Sequence, residues 1–292
     1  MQNLDQLKTL AADLPEAAKA NALALLDRMG AVIEGIGDDV QVWRPPYMRL
    51  VQGTTDRGSI PKGTAIGDFV LGEERLEKPL KFIPLRLWHG RQYWDPDQTS
   101  SRQLCQSPDA KVGYIGAECR TCQFSKWVEG EGSPCGKIIS VLAMTADLGQ
   151  LFSLTFAKSG YKVGMELESI LKKAGVDPYA RTYLLDSETS STAKNVELYK
   201  IGILPQAERV TDPALIPFLK ELFRQIGADR KASLDAFYES IAQRRAAGLL
   251  QIQQVSAPAL SDGTTPASEG SVQEVQVEEA VEVSSKAKGY KV

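Results

Sequence analysis

The sequence predicts an α+β protein, with a β-rich middle flanked by helices, a cysteine-bearing insertion and a tail without a core. Three observations carry this. Apolar residues recur at helical spacing near both ends. The segment at 79–94 alternates with the period of a strand, and 137–158 reads as a β-hairpin. All four cysteines of the 292-residue chain fall between Cys105 and Cys135. The expected division is a helical segment at 1–37, a β domain at 38–205 with the insertion at 105–135, helices at 206–255 and an acidic tail at 256–292.

The elements follow in order. In "DLPEAAKANALALLDRMG", Pro15 suits a first helical turn, and Leu23, Leu26 and Met29 repeat at helical spacing up to Gly30. "QVWRPPYMRLVQG" turns to β texture, with Pro45 and Pro46 fitting an edge or a bend, and "TTDRGSIPKGT" reads as a loop. "PLKFIPLRLWHGRQYW" alternates strictly, so Ile83, Leu85 and Leu87 should face one way and Phe82, Arg86 and Trp88 the other. "KIISVLAMTADLGQLFSLTFAK" reads as a hairpin turning at Asp147-Leu148-Gly149, its first arm apolar on both faces like a central strand.

Next, "SGYKVGMELESILKKAG" predicts a helix with Met165, Leu167, Ile170 and Leu171 inward and Gly175 as its C-cap. "VELYKIGIL" is a further strand, and two helices are expected at about 212–227 and 231–248. From Ser256 onward Ser, Pro, Gly and Glu dominate, too little apolar surface to offset the entropy of ordering, so disorder is expected.

Composition bounds the function. Residues 256–292 hold six acidic groups against three lysines, which accounts for the whole net charge of −3 and leaves a neutral body. A neutral body binds nucleic acid only through a local basic stripe. No apolar run reaches bilayer length and the N-terminus lacks a signal-peptide pattern, so a cytoplasmic chain with no membrane association is expected. In that compartment thiols stay reduced, and clustered cysteines suggest a metal rather than disulfides.

The spacing C-x13-C-x2-C-x12-C includes the Cys119-x2-Cys122 knuckle that lets two sulfurs face one ion. Cys105, Cys119, Cys122 and Cys135 are thus the candidate ligands of one zinc ion, which would supply folding free energy to a short polar segment. An iron–sulfur cluster needs the same four thiolates, and the spacing admits it. Four unrelated thiols remain the bland alternative. Four thiolates leave zinc no open position, so the site would be structural.

No catalytic constellation is apparent. One histidine, His89, without a nucleophile signature argues against a triad, and neither a phosphate loop nor a dinucleotide fingerprint is present. A non-enzymatic protein is expected. Aromatic and basic residues are the better lead, because single strands are gripped by stacking rings and by Lys or Arg on phosphates. The candidates are Arg44, Tyr47 and Arg49; Phe82, Arg86, Trp88, Arg91, Tyr93 and Trp94; and Lys126 and Trp127 after the knuckle. The bland alternative makes these rings core and the arginines its edge.

The stretches "FIPLRLWHGRQYWD", "CQSPDAKVGYIG", "CRTCQFSKW", "SPCGKIISVLAM" and "FAKSGYKVGMELESIL" together resemble a group of bacteriophage and mobile-element proteins regarded as single-stranded-DNA-binding, over roughly residues 45–175. The resemblance implies an OB-like β-barrel at 38–205 with a zinc-ribbon-like insertion, coating single strands during phage replication or recombination in the host cytoplasm. The acidic tail is similar to those that recruit replication partners, but its ending "SSKAKGYKV" is basic. The rival reading is a zinc-containing adaptor or transcription regulator whose aromatics are core; a replication enzyme with a metal element is a third.

Overall fold

The N-terminal apolar spacing builds not one helix but two. In a computed structural model, which describes residues 4–30, 45–53, 55–94, 103–127, 132–190, 198–209 and 212–249, α1 (Leu4–Ala12) and α2 (Glu16–Gly30) fold as a hairpin at Pro15. Their buried stripes, Leu7 and Ala11 against Ala22, Leu25, Leu26 and Met29, form one apolar face. All described residues belong to one unit, Met1–Ile252. The tail from Ser256, expected to be disordered, lies outside the described residues, as does Arg44. Among the described residues no helix is long and apolar enough to cross a membrane.

The β architecture is α+β as expected, but its antiparallel sheets stay open, so the OB-like barrel is not observed. Strands β1 (Met48–Leu50), β2 (Phe69–Leu71) and β3 (Glu74–Leu76) make a small antiparallel sheet. The larger sheet is built on β4 (Leu80–Trp94). Along one side β4 pairs with β6 (Cys135–Thr145), which pairs with β7 (Leu151–Ala157). Along the other side its first residues pair with β8 (Arg181–Ser190), itself paired to β9 (Leu198–Arg209). Its last residues pair with β5 (Gln103–Ser107). One long strand therefore reaches from the core to the cysteine segment.

Each face of this sheet is covered. Helix α3 (Tyr161–Ala174) lies on β6 and β7 with Phe152, Phe156, Ile139 and Leu167 in the cluster beneath. Gly164 permits the approach, since a Cβ there would come within 2.9 Å of the Phe156 Cβ. Met165, expected inward, is instead 42% exposed, while Leu167 is buried and Gly175 caps the helix at φ 63° as expected. On the opposite face α1, α2 and α4 (Leu215–Ala246) enclose Ile83, Leu85, Leu142 and Met144.

Two expectations fail for identifiable reasons. The alternation along β4 breaks at a bulge between Pro84 and Arg86. Proline has no N–H to donate to the ladder, which suits a bulge. The extra residue puts Leu85 and Arg86 both toward α4, so Phe82 and Leu87 share the α3 side while Ile83, Leu85 and Trp88 share the other. The two C-terminal helices are one, because the Gly227 break is spanned by a continuous α4.

Candidate functional site

Two of the four thiols are brought beside Tyr93. On β4, Tyr93 pairs with Cys105 of β5 on one side and with Cys135 of β6 on the other. Directly paired residues project to the same face of a sheet, so both sulfurs flank the tyrosine ring. The knuckle is laid over that ring. Phe124, two residues after Cys122, stacks on Tyr93 with centroids 4.5 Å apart at 19°.

Backbone bonds shape the knuckle. Cys119 N–H donates to Lys111 O at 2.7 Å and Cys122 N–H to Glu118 O at 2.9 Å, while the Ser125 hydroxyl donates to Cys122 O at 2.8 Å. At Gly113 the chain passes so close to Cys105 that a Cβ would lie 2.7 Å from its sulfur. Cys119 and Cys135 are buried, and Cys105 and Cys122 half-buried.

The thiols feel one another. Burial pushes the Cys135 thiol up to about 11; Arg91 opposes this, and Cys105 and Cys119 add to it. Burial also raises Cys119, with Cys105 and Cys122 contributing in the same direction. The buried Ser107 hydroxyl and Arg91 lower it, although no bond of normal geometry joins Ser107 to the sulfur. Burial thus favours the neutral thiol at Cys119 and Cys135. A soft divalent ion would stabilise the thiolates directly, and four sulfurs suit zinc. The donors thus fit in kind. Among the described residues, however, no three Cys, His, Asp or Glu side chains stand together as a metal-holding group.

The described nucleic-acid candidates separate into four groups. Phe82, Arg86 and Trp88 serve packing, which corrects the expectation of a shared binding face. Phe82 is 1% exposed and lies against Tyr183. Arg86 donates to Phe223 O at 3.0 Å with its guanidinium 3.6 Å from the centre of the Phe223 ring, and burial lowers its pKa. Trp88 packs on the α1–α2–α4 core beneath Arg230. Arg91, which donates to Cys135 O, and Tyr93 build the thiol site itself. Arg49 donates to Ser59 O at 2.8 Å and ties β1 to its loop.

The open set is Tyr47, Trp94, Lys126 and Trp127, with Trp127 78% exposed. His89 faces Glu168 of α3 at 3.2 Å.

No protein-family model, curated protein or solved structure matches the chain. The resemblance to phage single-strand binders therefore rests on the quoted residues alone.

The sequence reading missed Tyr114 and the part of α4 that holds it. Four α4 side chains donate to the segment between β5 and the knuckle. Arg230 and Arg245 reach the carbonyls of Pro108 and Gly116, the Tyr238 hydroxyl donates to Asp109 at 2.6 Å, and Arg244 donates to Tyr114 O at 3.0 Å. Tyr114 lies in a glycine-flanked turn, "GYIG", where a large ring has no periodic reason to be. That was the available signal.

Proposed function

We propose that the protein binds single-stranded DNA without sequence preference, through exposed rings and basic groups on the cysteine-bearing lobe. Zinc held by Cys105, Cys119, Cys122 and Cys135 would keep that lobe in shape. The observation that carries this is the placement of exposed aromatics. Of Tyr47, Trp94, Tyr114 and Trp127, three lie in the lobe or at its border, and Lys126 adjoins the most exposed of them. Open rings beside basic groups are what base stacking and phosphate neutralisation require.

The reading does not need an OB-like barrel; an open sheet edge carrying a rigid lobe serves as well. Iron–sulfur ligation by the same thiols belongs to the same proposal as its variant. The role is binding rather than catalysis, in replication or recombination of a phage-like element, with the acidic tail recruiting partners. The adaptor reading gains from the burial of Phe82 and the packing of Arg86 and Trp88, which leave the β4 faces to the core.

Fluorescence anisotropy with labelled single- and double-stranded oligonucleotides tests the proposal. Preference for the single strand, weakening with salt, supports it. Equal or absent binding of both sinks it and leaves the adaptor.

A further inference from the structure

We infer that Tyr114, held by Arg244, is a stacking subsite for one base of the bound strand; this rests on the single-strand reading. The ring is 55% exposed, yet it is fixed. Its N–H donates to Gln106 O at 2.9 Å, its carbonyl accepts from Arg244, and the Arg244 guanidinium sits 4.0 Å from the ring centre. A ring that only glued α4 to the lobe would gain by being covered. This one is clamped from one side and left open on the other, so little ordering cost remains for a ligand.

The charge pattern selects the part of the ligand that binds. The C-terminal end of α4 carries partial negative charge that disfavours phosphate, and Arg244 and Arg245, in its last turn, offset it. Both guanidinium groups are already engaged by carbonyls of Tyr114 and Gly116. The spot therefore offers a π-face rather than a phosphate seat. Lys111 and Arg120, exposed in the same segment, supply the charge for the backbone of the strand.

The test uses the full chain, a labelled oligothymidylate and a series of salt concentrations, with Tyr114→Leu, Tyr114→Phe and Lys111→Ala. Leucine keeps bulk against Arg244 but has no planar face. Tyr114→Leu is expected to weaken binding roughly tenfold with an unchanged salt slope. Tyr114→Phe should stay within about twofold of wild type, and Lys111→Ala should lower the slope by about one. Wild-type affinity in Tyr114→Leu, loss in Tyr114→Phe equal to that in Tyr114→Leu, or a slope lowered by Tyr114→Leu each overturns the subsite while the single-strand reading stands. If wild-type protein binds no single strand, both fall together.

Discussion

Arg86 reaches from β4 to α4 and fills the space beside Gly227, where a Cβ would lie 2.8 Å from its Cζ. The glycine is thus a seat for the guanidinium rather than a helix break. An arginine head can move, but here moving costs its two bonds to Phe223 O and the contact with the Phe223 ring. Gly→Ala within a helix ordinarily gains about 1 kcal/mol. Hydrogen bonds from a charged donor are worth about 1.5–3 kcal/mol. Gly227→Ala should therefore destabilise by about 1 kcal/mol. In an Arg86→Ala background the same change should stabilise. Urea unfolding of the four proteins measures the coupling, and an unchanged sign in both backgrounds refutes the seat.

The Tyr238 hydroxyl bond to Asp109 gives a pH-dependent prediction. Burial first, and then Asp109, push this phenol from its ordinary 10.0 up to about 12. A raised pKa means the folded state favours the protonated form. The contribution is therefore complete below about 10 and lost as pH rises through 12. Tyr238→Phe should lower stability at neutral pH by about 0.5–1.5 kcal/mol. It should also lose less than wild type between pH 8 and 11. Parallel loss in the two proteins would place the alkaline sensitivity elsewhere, for instance at Tyr179, raised by burial and Asp177.

Local rules were legible where the chain alone decides. The β6–β7 hairpin turns where Asp147 accepts from Gly149 N–H, and α3 ends where Gly175 adopts a left-handed φ. What failed depended on distant partners. Alternation along β4 told which residues differ in facing, but the Pro84 bulge reset the count before Arg86. Nothing in a strand pattern says which face a helix will cover, so Phe82 and Trp88 read as available. Strand β5, "QLCQS", has little apolar signature and exists through its ladder with β4. At the site, the cysteine spacing marked the segment but not that β4 would set Tyr93 between Cys105 and Cys135. Tyr114 was legible only as a large ring in a glycine-flanked turn, because the α4 arginine that holds it lies 130 residues later.

The exposed and the packed tryptophans should separate binding from stability. Trp127→Ala removes a ring that is 78% exposed and should cost about 1–3 kcal/mol of single-strand affinity while leaving thermal stability within about 0.5 kcal/mol. Trp88→Ala removes a ring packed on the α1–α2–α4 core and should cost several kcal/mol of stability, about 3–5 if the cavity does not close. Its affinity, measured below its melting temperature, should match wild type. The opposite pattern would restore Trp88 as the stacking residue and remove Trp127.

Metal content is the remaining test, and the thiol geometry says what its loss should do. Purified protein is expected to hold about one zinc ion per chain, read by elemental analysis. Iron with acid-labile sulfide would replace zinc with a cluster, and the absence of both would leave four thiols without a metal. Cys119→Ser with Cys122→Ser should abolish loading. It should also free Phe124 from Tyr93, because the stack is held by the turn that begins at Cys122. Hydrogen exchange should then rise across 108–127 and in the α4 residues bonded to it, from Arg230 to Arg245. The β6–β7 hairpin should stay protected beyond Cys135, since its ladder runs from Ile138 to Met144 independently of the knuckle. Protection lost equally in hairpin and lobe would mean that the thiols support the whole fold. Protection unchanged in the lobe would mean that α4 alone holds it, with the metal dispensable.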